Sequence, residues 1–205
     1  MVLVLLPVGA FAADPLMEQP HWSLEVKGGR FIPAIDNWQT YYGKRYTSEY
    51  AGSLAYKITR QLEFGLEGGT IRDKGKGLAP THGTLAGEVV YQLFPVSAFV
   101  LVRGILSENQ WLVPYVGGGW TRMYYQEKIQ NQTTVRGFAD GSHFRAGLQF
   151  SLDGVDPGAA NSMYLDYGVH HTYFFIEAER TRAVVKSVSA NLGGTSYQGG
   201  LLFEF

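Results

Sequence analysis

The sequence predicts an all-β protein, an eight-stranded antiparallel up-and-down transmembrane β-barrel. Apolar and polar residues alternate with a period of two along many segments, which is the pattern of a β-strand. Glycine occurs 26 times in 205 residues, with 13 tyrosines and 12 phenylalanines, a composition that suits twisted strands in close contact. After Ala13 no apolar run reaches the roughly 20 residues of a membrane helix. A membrane location would therefore require a closed barrel.

The N-terminal segment predicts export. Residues 1–12 form a short apolar stretch that ends in Ala10-Phe11-Ala12, a cleavage site of the A-x-A type. The stretch is too short to cross a bilayer, so we expect a signal peptide rather than an anchor. Residues 13–205 are then the mature protein, a single barrel domain.

Composition excludes several classes of function. The formal net charge is -1 and no basic block is present, so we expect no nucleic-acid partner. Cysteine is absent, which excludes disulfides, cysteine-ligated metals and a lipidated cysteine. No cofactor is predicted, since the glycine-rich segments 28–29 and 117–119 lack the Lys-Ser/Thr of a phosphate-binding loop. No metal site is predicted either, because His170 and Asp166 alone do not make one.

Eight strands are predicted in order along the chain. They cover residues 22–27, 49–58, 62–67, 84–103, 111–125, 143–152, 163–170 and 196–205. The second and third strands form a tight hairpin. Within the fourth strand the apolar parity switches at Pro95, which predicts a β-bulge there. Residues 153–160, rich in Gly, Pro and Asp, predict a turn.

The predicted connections alternate in length. Those after the second, fourth and sixth strands are short, whereas the others are longer and cover residues 32–46, 73–83, 126–140 and 174–195. Short turns on one rim and long loops on the other are typical of the periplasmic and outer sides of a bacterial membrane barrel. We expect residues 174–195 either to extend the last two strands or to hold a short helix.

The alternation gives each predicted strand one apolar face and one polar face. A soluble barrel would turn its apolar face inward, but here the polar parity combines small residues with charges of both signs, which suits a narrow lumen. This parity predicts an interior polar network of Glu25, Lys27, Lys57, Glu63, Glu67, Arg103, Arg145, Asp166 and Glu204, with Glu88 on the same parity. Because eight strands enclose just enough space for side chains, we expect a barrel plugged by ion pairs.

Three segments resemble the small bacterial outer-membrane barrels grouped with the OmpA transmembrane domain, OmpX and OmpW. They are Tyr42-Gly43 with the hairpin that ends at 62–69, the glycine-rich segment 112–119, and the C-terminal segment 199–205. The resemblance covers nearly all of the mature chain as a pattern rather than a motif. It implies a location in the bacterial outer membrane, in contact with lipid and lipopolysaccharide, and a monomer.

The resemblance also implies a role for the last strand. Tyr197, Leu201, Phe203 and Phe205 alternate up to a terminal phenylalanine, as in the C-terminal signal of such proteins. The β-barrel assembly machinery would bind this signal by strand pairing.

Three functions remain open at this stage. The first is a structural, envelope-integrity or surface-interaction role, in which Lys44, Arg45, Lys74, Lys76, Lys128, Arg180 and Arg182 could contact lipid phosphates. The second is a lipid A deacylase or acyltransferase that uses His170 or His171 near Asp166 and Thr172. The third is a narrow channel for small apolar molecules, against which the charged inward parity argues. No catalytic residue is assigned.

Overall fold

The computed structural model describes residues 20–35, 38–78, 85–107, 110–129, 134–185 and 190–205. The predicted signal peptide, residues 1–12, lies outside this part of the chain. Nine strands and two helices are present in it. The strands are β1 Trp22–Pro33, β2 Thr47–Lys57, β3 Leu62–Leu78, β4 Leu85–Arg103, β5 Leu112–Ile129, β6 Val135–Ser151, β7 His171–Val185, β8 Ala190–Asn191 and β9 Gly194–Glu204; the helices are α1 Trp38–Tyr42 and α2 Pro157–Tyr167.

Eight antiparallel strands close into a barrel. Each strand from β1 to β7 pairs with its neighbour in sequence, and β9 pairs with both β7 and β1. The two-residue β8 only extends the edge of β7. The predicted eight-stranded antiparallel barrel is therefore confirmed.

The register fixes the stagger of the barrel. We can start at Thr172 on β7 and move from each residue to its partner on the next strand. After one circuit of the barrel this path returns to β7 at Arg182, ten residues further along the strand. A closed barrel needs such a shear because its strands tilt relative to the axis, by about 35–45° in membrane barrels. We call the end at which β1 begins and β9 ends the terminal rim, and the opposite end the distal rim.

Over the half of each long strand nearer the terminal rim, the outward parity is apolar. Val26, Leu54 and Leu66 are more than half exposed, while Lys27, Ser53 and Glu67 between them point into the lumen. In water this exterior would expose a continuous apolar belt, far larger than soluble monomers tolerate. The barrel is thus built to span a membrane. Within the described part of the chain, neither helix has the length and apolarity of a membrane-crossing helix.

The prediction for the seventh strand is wrong. Residues 163–167 belong to α2, and β7 begins at His171. Asp156 caps the helix by accepting a hydrogen bond from the amide of Ala159, Pro157 occupies the first turn, and Gly168 ends the helix in the left-handed conformation. These local signals outweigh the short apolar alternation of the segment.

The predicted bulge at Pro95 is also wrong. The pairing of β4 with β5 runs without a shift through Pro95, and the register with β3 is the same on both sides of it. The switch in parity arises because Tyr91 and Leu93 point into an apolar part of the lumen, whereas Val96 and Val100 point to lipid. A register shift does occur further along, between Lys76 and Leu78.

The predicted alternation of short and long connections does not hold. Strand continues through most of the predicted loops 73–83, 126–140 and 174–195, so that β3 with β4 and β5 with β6 form tall hairpins at the distal rim. At the terminal rim, the connection 152–170 is long because it contains α2. The apolar and charged residues of these segments follow strand alternation rather than the composition of a loop.

Candidate functional site

Charged side chains fill the middle of the lumen. The ammonium of Lys27 lies 2.7 Å from Glu67 and 2.8 Å from Glu177. The guanidinium of Arg145 lies 2.9 Å from Glu67, 3.7 Å from Glu177 and 3.9 Å from Glu25. We call these five residues the central ion cluster. Both cations have fully buried side chains, and the carboxylates beside them supply the counter-charge that a buried cation needs.

Aromatic side chains hold the central ion cluster in place. Tyr115 donates a 2.9 Å hydrogen bond to Glu177, and Arg145 lies 3.7 Å from the ring centre of Phe99, in a cation–π contact. Each ring lies over a glycine of a neighbouring strand. A Cβ atom at Gly65 would come within 2.7 Å of the Phe99 ring, and one at Gly147 within 2.6 Å of the Tyr115 ring. These two glycines leave the space that the rings occupy.

A second ion cluster lies near the terminal rim. The ammonium of Lys57 is 2.6 Å from Glu204, and Arg103 pairs with the same carboxylate while its guanidinium lies 5.1 Å from the ring centre of Tyr173. Glu63 accepts a 3.3 Å hydrogen bond from Ser23. All four charged residues of this terminal ion cluster are buried. The lumen is thus filled by paired charges at two levels.

The structure places most of the predicted interior residues in these two clusters. Glu25, Lys27, Lys57, Glu63, Glu67, Arg103, Arg145 and Glu204 all point into the lumen. Asp166 does not: it lies on exposed α2, because that segment is helical rather than a strand. The side chain of Glu88 lies outside the described residues. Sequence reasoning missed Glu177, although its alternation with Phe174, Ile176 and Ala178 predicts a strand.

An apolar cluster occupies the lumen at the distal rim. It consists of Phe31, Trp38, Ile71, Tyr91, Leu93, Met123, Ala139, Ala183 and Leu192. Trp38 of α1 is 4% exposed, stacks on Tyr42 at 3.9 Å between ring centres, and meets Tyr91 edge-on at 5.4 Å. Burial raises the pKa of the Tyr42 phenol above its ordinary value, which keeps it neutral. Helix α1 therefore packs as an inward-facing cover over the distal lumen.

Cations occupy the outward face towards the distal rim. They are Arg30, Arg72, Lys74, Arg122, Lys128, Arg136, Arg180 and Arg182, and we call them the distal cations. Among the side chains that the structure describes on the outward faces of the strands, Asp140 is the single acid. Glu49, Glu127 and Glu179, by contrast, point inward at comparable positions along β2, β5 and β7. Charge is therefore separated across the distal wall.

One distal cation is held in a defined position. Arg122 forms a bidentate ion pair with Asp140, at 2.7 and 3.0 Å. Its guanidinium also lies 4.6 Å from the ring centre of Phe138 and 5.3 Å from that of Trp120. Arg180 on β7 donates a 2.6 Å hydrogen bond to Thr195. Arginines among outward aromatic rings indicate the level at which hydrocarbon gives way to polar headgroups.

The predicted loop cations take different positions. Lys74, Lys128, Arg180 and Arg182 are exposed distal cations on strands rather than loops. Lys44 lies 3.0 Å from Asp73 and Arg45 donates to Gln39, so both stabilise the turn after α1. The side chain of Lys76 lies outside the described residues.

The histidine pair lies at the terminal rim. The ring of His171 is 2.8 Å from Asp153, which also accepts a hydrogen bond from the backbone amide of Thr172. His170 packs edge-on against Tyr164 of α2. Among the hydrogen bonds described there, none joins the His171 ring to a hydroxyl group, so the arrangement lacks the nucleophile contact of a hydrolytic site. Asp166, the predicted partner, lies on exposed α2.

The last strand closes the barrel against the first. Phe205 exchanges backbone hydrogen bonds with Trp22, and its carbonyl also accepts one from His21. The four residues of the predicted assembly signal alternate along β9 and its end. Tyr197, Leu201 and Phe205 are 57%, 40% and 38% exposed on the outer face, and Phe203 shares their parity with partial exposure.

Comparison with solved structures identifies the same fold in small outer-membrane barrels. Neisserial surface protein A matches with a TM-score of 0.62 at 11% identity, covering 90% of this chain and 97% of that one. The Pseudomonas aeruginosa outer membrane protein OprG matches with 0.61 at 10% identity, covering 91% and 97%. The N-terminal β-barrel domain of OprF from the same organism matches with 0.54 at 14% identity, covering 92% and 100%.

No family model and no curated protein matches the sequence. At these identities the structural likeness concerns the fold. Together with the lipid-facing exterior, this fold places the chain in the bacterial outer membrane, as the sequence predicted.

Proposed function

We propose that the protein is a plugged, non-conducting outer-membrane barrel whose distal cations bind the phosphates of lipopolysaccharide. The proposal rests on the separation of charge across the distal wall. The described outward charges there are cations with one acid, Asp140, while acids of the same strands point into the lumen. A role in envelope integrity or surface interaction follows from this contact.

The outward arrangement suits anionic headgroups. Each Lys or Arg near a negatively charged membrane surface contributes about 1 kcal/mol to the attraction. Arginine also matches phosphate geometry with a planar set of donors. Arg180 and Arg182 lie two residues apart on the outward face of β7, and Arg182 pairs across the sheet with the small Ser142. A phosphate can therefore approach this part of the wall.

The orientation of the barrel supports the same proposal. An even number of strands places the start of β1 and the end of β9 at the terminal rim, and strands β3 to β6 extend past the lipid-facing belt at the other end. Extended outer segments are typical of the extracellular side of such barrels. The distal cations then face the outer leaflet, in which lipopolysaccharide resides.

Binding of purified lipopolysaccharide to the refolded barrel in detergent micelles tests the proposal. We expect the Arg180→Ala/Arg182→Ala variant to bind about tenfold more weakly, and the loss of affinity to shrink at high salt. The Arg60→Ala variant, at the exposed β2–β3 turn of the terminal rim, is the matched control and should bind normally. Equal affinity of all three proteins would overturn the proposal.

A channel for small apolar molecules is the alternative function, and the contents of the lumen bear on it. The distal lumen is apolar, but Trp38 and its neighbours fill it. The central ion cluster lies further towards the terminal rim, beyond a buried hydrogen-bonded layer of Ser97, Thr121 and His143. We expect the protein to give no steady conductance in planar bilayers, and Arg145→Ala to leave this unchanged while lowering stability. A steady conductance of the unmodified protein would favour an open channel, and a large rise in conductance in Arg145→Ala would favour a gated one.

An enzymatic role would have to use the histidines at the terminal rim. We propose none, because the described contact of the His171 ring is a hydrogen bond with Asp153, and no hydroxyl group is among its described partners. We expect His170→Ala and His171→Ala each to leave lipid A acylation unchanged in cells. A changed acylation pattern in either variant would support a hydrolytic function that uses these histidines.

We further propose that the end of β9 is the signal for the β-barrel assembly machinery. The outward alternation of its aromatic and apolar side chains supports strand addition at an open seam. Deletion of Phe205 should slow assembly of the heat-modifiable barrel in cells. An unchanged rate would count against this role.

A further inference from the structure

A groove crosses the lipid-facing side of the barrel between β2 and β5. It has a volume of about 920 Å³. Its floor is formed where Ala98 on β4 and Gly118 on β5 take the place of large outward residues. Leu54, Leu66 and Val100 surround the floor. The exterior is therefore concave here, between the bulky side chains that surround the floor.

An aromatic row marks one end of the groove. Trp22 and Tyr56 meet edge-on with ring centres 5.2 Å apart, and Tyr56 lies 5.9 Å from Phe64. The row lies on β1, β2 and β3 close to the terminal rim. Tryptophan and tyrosine in such a position lie at headgroup level. The groove begins at this level and continues into the depth of the acyl chains of the same leaflet.

We propose that the groove is a specific binding site for an acyl chain of a periplasmic-leaflet phospholipid. The lining is almost wholly apolar, and it is continuous with the belt that faces hydrocarbon. An acyl chain of one leaflet extends roughly 15 Å, half of the hydrocarbon core. Four strands about 4.8 Å apart give the groove a length of about 14 Å across the strands, and the tilt of the strands turns this length partly towards the membrane normal. A phospholipid bound here stays associated longer than its neighbours.

The shape of the groove favours a lipid over a second copy of the chain. A stable protein interface involves about 20–30 residues on each side, whereas only eleven residues line this depression. A flexible acyl chain can follow a narrow groove of this kind, and inside a membrane such packing supplies the affinity that the hydrophobic effect does not.

Native mass spectrometry tests the proposal on the whole barrel. The protein is refolded into vesicles of phosphatidylethanolamine and phosphatidylglycerol and transferred to a mild detergent. We expect a retained phospholipid on the unmodified protein, and about tenfold lower occupancy on Ala98→Leu, whose side chain fills the floor. Ala178→Leu places the same change on the lipid-facing surface of β7, outside the groove, and should retain the lipid.

Two results would overturn the proposal. One is equal retention by all three proteins, each checked for folding by its heat-modifiable gel shift. The other is a dimer that Ala98→Leu disrupts. A phospholipid with a photoreactive acyl chain gives a second readout on the unmodified protein. Crosslinks are expected at Leu54, Leu66 or Val100, and crosslinks spread evenly around the barrel would contradict a specific site whatever the variants do.

Discussion

The ammonium of Lys27 on β1 lies 2.8 Å from a carboxylate oxygen of Glu177 on β7, although β9 separates these strands. The two residues are 150 positions apart in sequence. Their contact therefore passes over β9 on the lumen side and joins the first third of the chain to the last. It also fixes the central ion cluster on which the plugged state of the barrel depends.

Removing one partner of this buried pair should destabilise the barrel strongly. We expect Glu177→Gln to lower the free energy of unfolding by about 3 kcal/mol, the lower end of the range for a broken buried pair, because Lys27 loses one of its two counter-charges and keeps Glu67. Urea unfolding in detergent micelles measures this change in the free energy of unfolding. Asp140→Asn breaks the exposed pair with Arg122 and should cost no more than about 1 kcal/mol. Similar losses for the two variants would contradict the burial of the cluster.

The glycine below Tyr115 should be sensitive to a single methyl group. A Cβ at Gly147 would come within 2.4 Å of the carbonyl oxygen of Ile176 and within 2.6 Å of the Tyr115 ring. Gly147→Ala would therefore displace the ring and the neighbouring strand, and overpacking of this kind costs about 1–3 kcal/mol. Gly68→Ala is the control, since a Cβ there has no neighbour within 4 Å among the described atoms. Unfolding of both variants under the same conditions gives the comparison. An unaffected Gly147→Ala variant would show that the ring does not need the glycine.

Trp38 should account for much of the stability of the distal lumen. Trp38→Ala removes a buried ring that contacts Tyr42 and Tyr91, and such truncations cost about 3–5 kcal/mol. Hydrogen exchange at the distal ends of β3 and β4 should rise in this variant. Thr40→Ala, on the exposed side of α1, should leave exchange unchanged. Normal protection in Trp38→Ala would mean that α1 does not stabilise the distal barrel.

Loss of the N-terminal cap of α2 should destabilise that helix and leave the barrel strands unchanged. Asp156→Ala removes the acceptor for the amide of Ala159 and should weaken the helix by about 1 kcal/mol. Faster hydrogen exchange across α2, with β6 and β7 unchanged, is the expected result. Asp166→Ala changes an exposed carboxylate of the same helix without touching the cap. Equal acceleration in both variants would argue against capping by Asp156.

Part of the fold was predictable because strand alternation is strong where lumen and lipid differ most. Near the terminal rim, Lys57 and Glu63 alternate with Tyr56 and Phe64, and these positions take the predicted faces. At the distal rim the lumen is itself apolar, so Tyr91 and Leu93 have the hydrophobicity of lipid-facing residues. Alternation alone cannot then separate inside from outside, and the switch at Pro95 resembled a bulge.

The segment from Asp153 to Val185 shows a different limit. Its apolar residues alternate in α2 by coincidence, while Asp156, Pro157 and Gly168 carried readable signals for the start and end of a helix. Because residues 163–170 were predicted as a strand, most of β7 was predicted as a loop. Glu177 was therefore left out of the predicted polar network. The distal cations Arg30, Arg72, Arg122 and Arg136 were missed because their outward position depends on strand extension past the membrane.

The phosphate dependence of lipopolysaccharide binding tests the central claim most directly. The unmodified barrel is compared for binding to intact lipopolysaccharide and to the same molecule after removal of its lipid A phosphates, at low salt. The charge separation across the distal wall predicts that dephosphorylation weakens binding at least about tenfold. Equal affinity for the two ligands would contradict the proposed role of the distal cations.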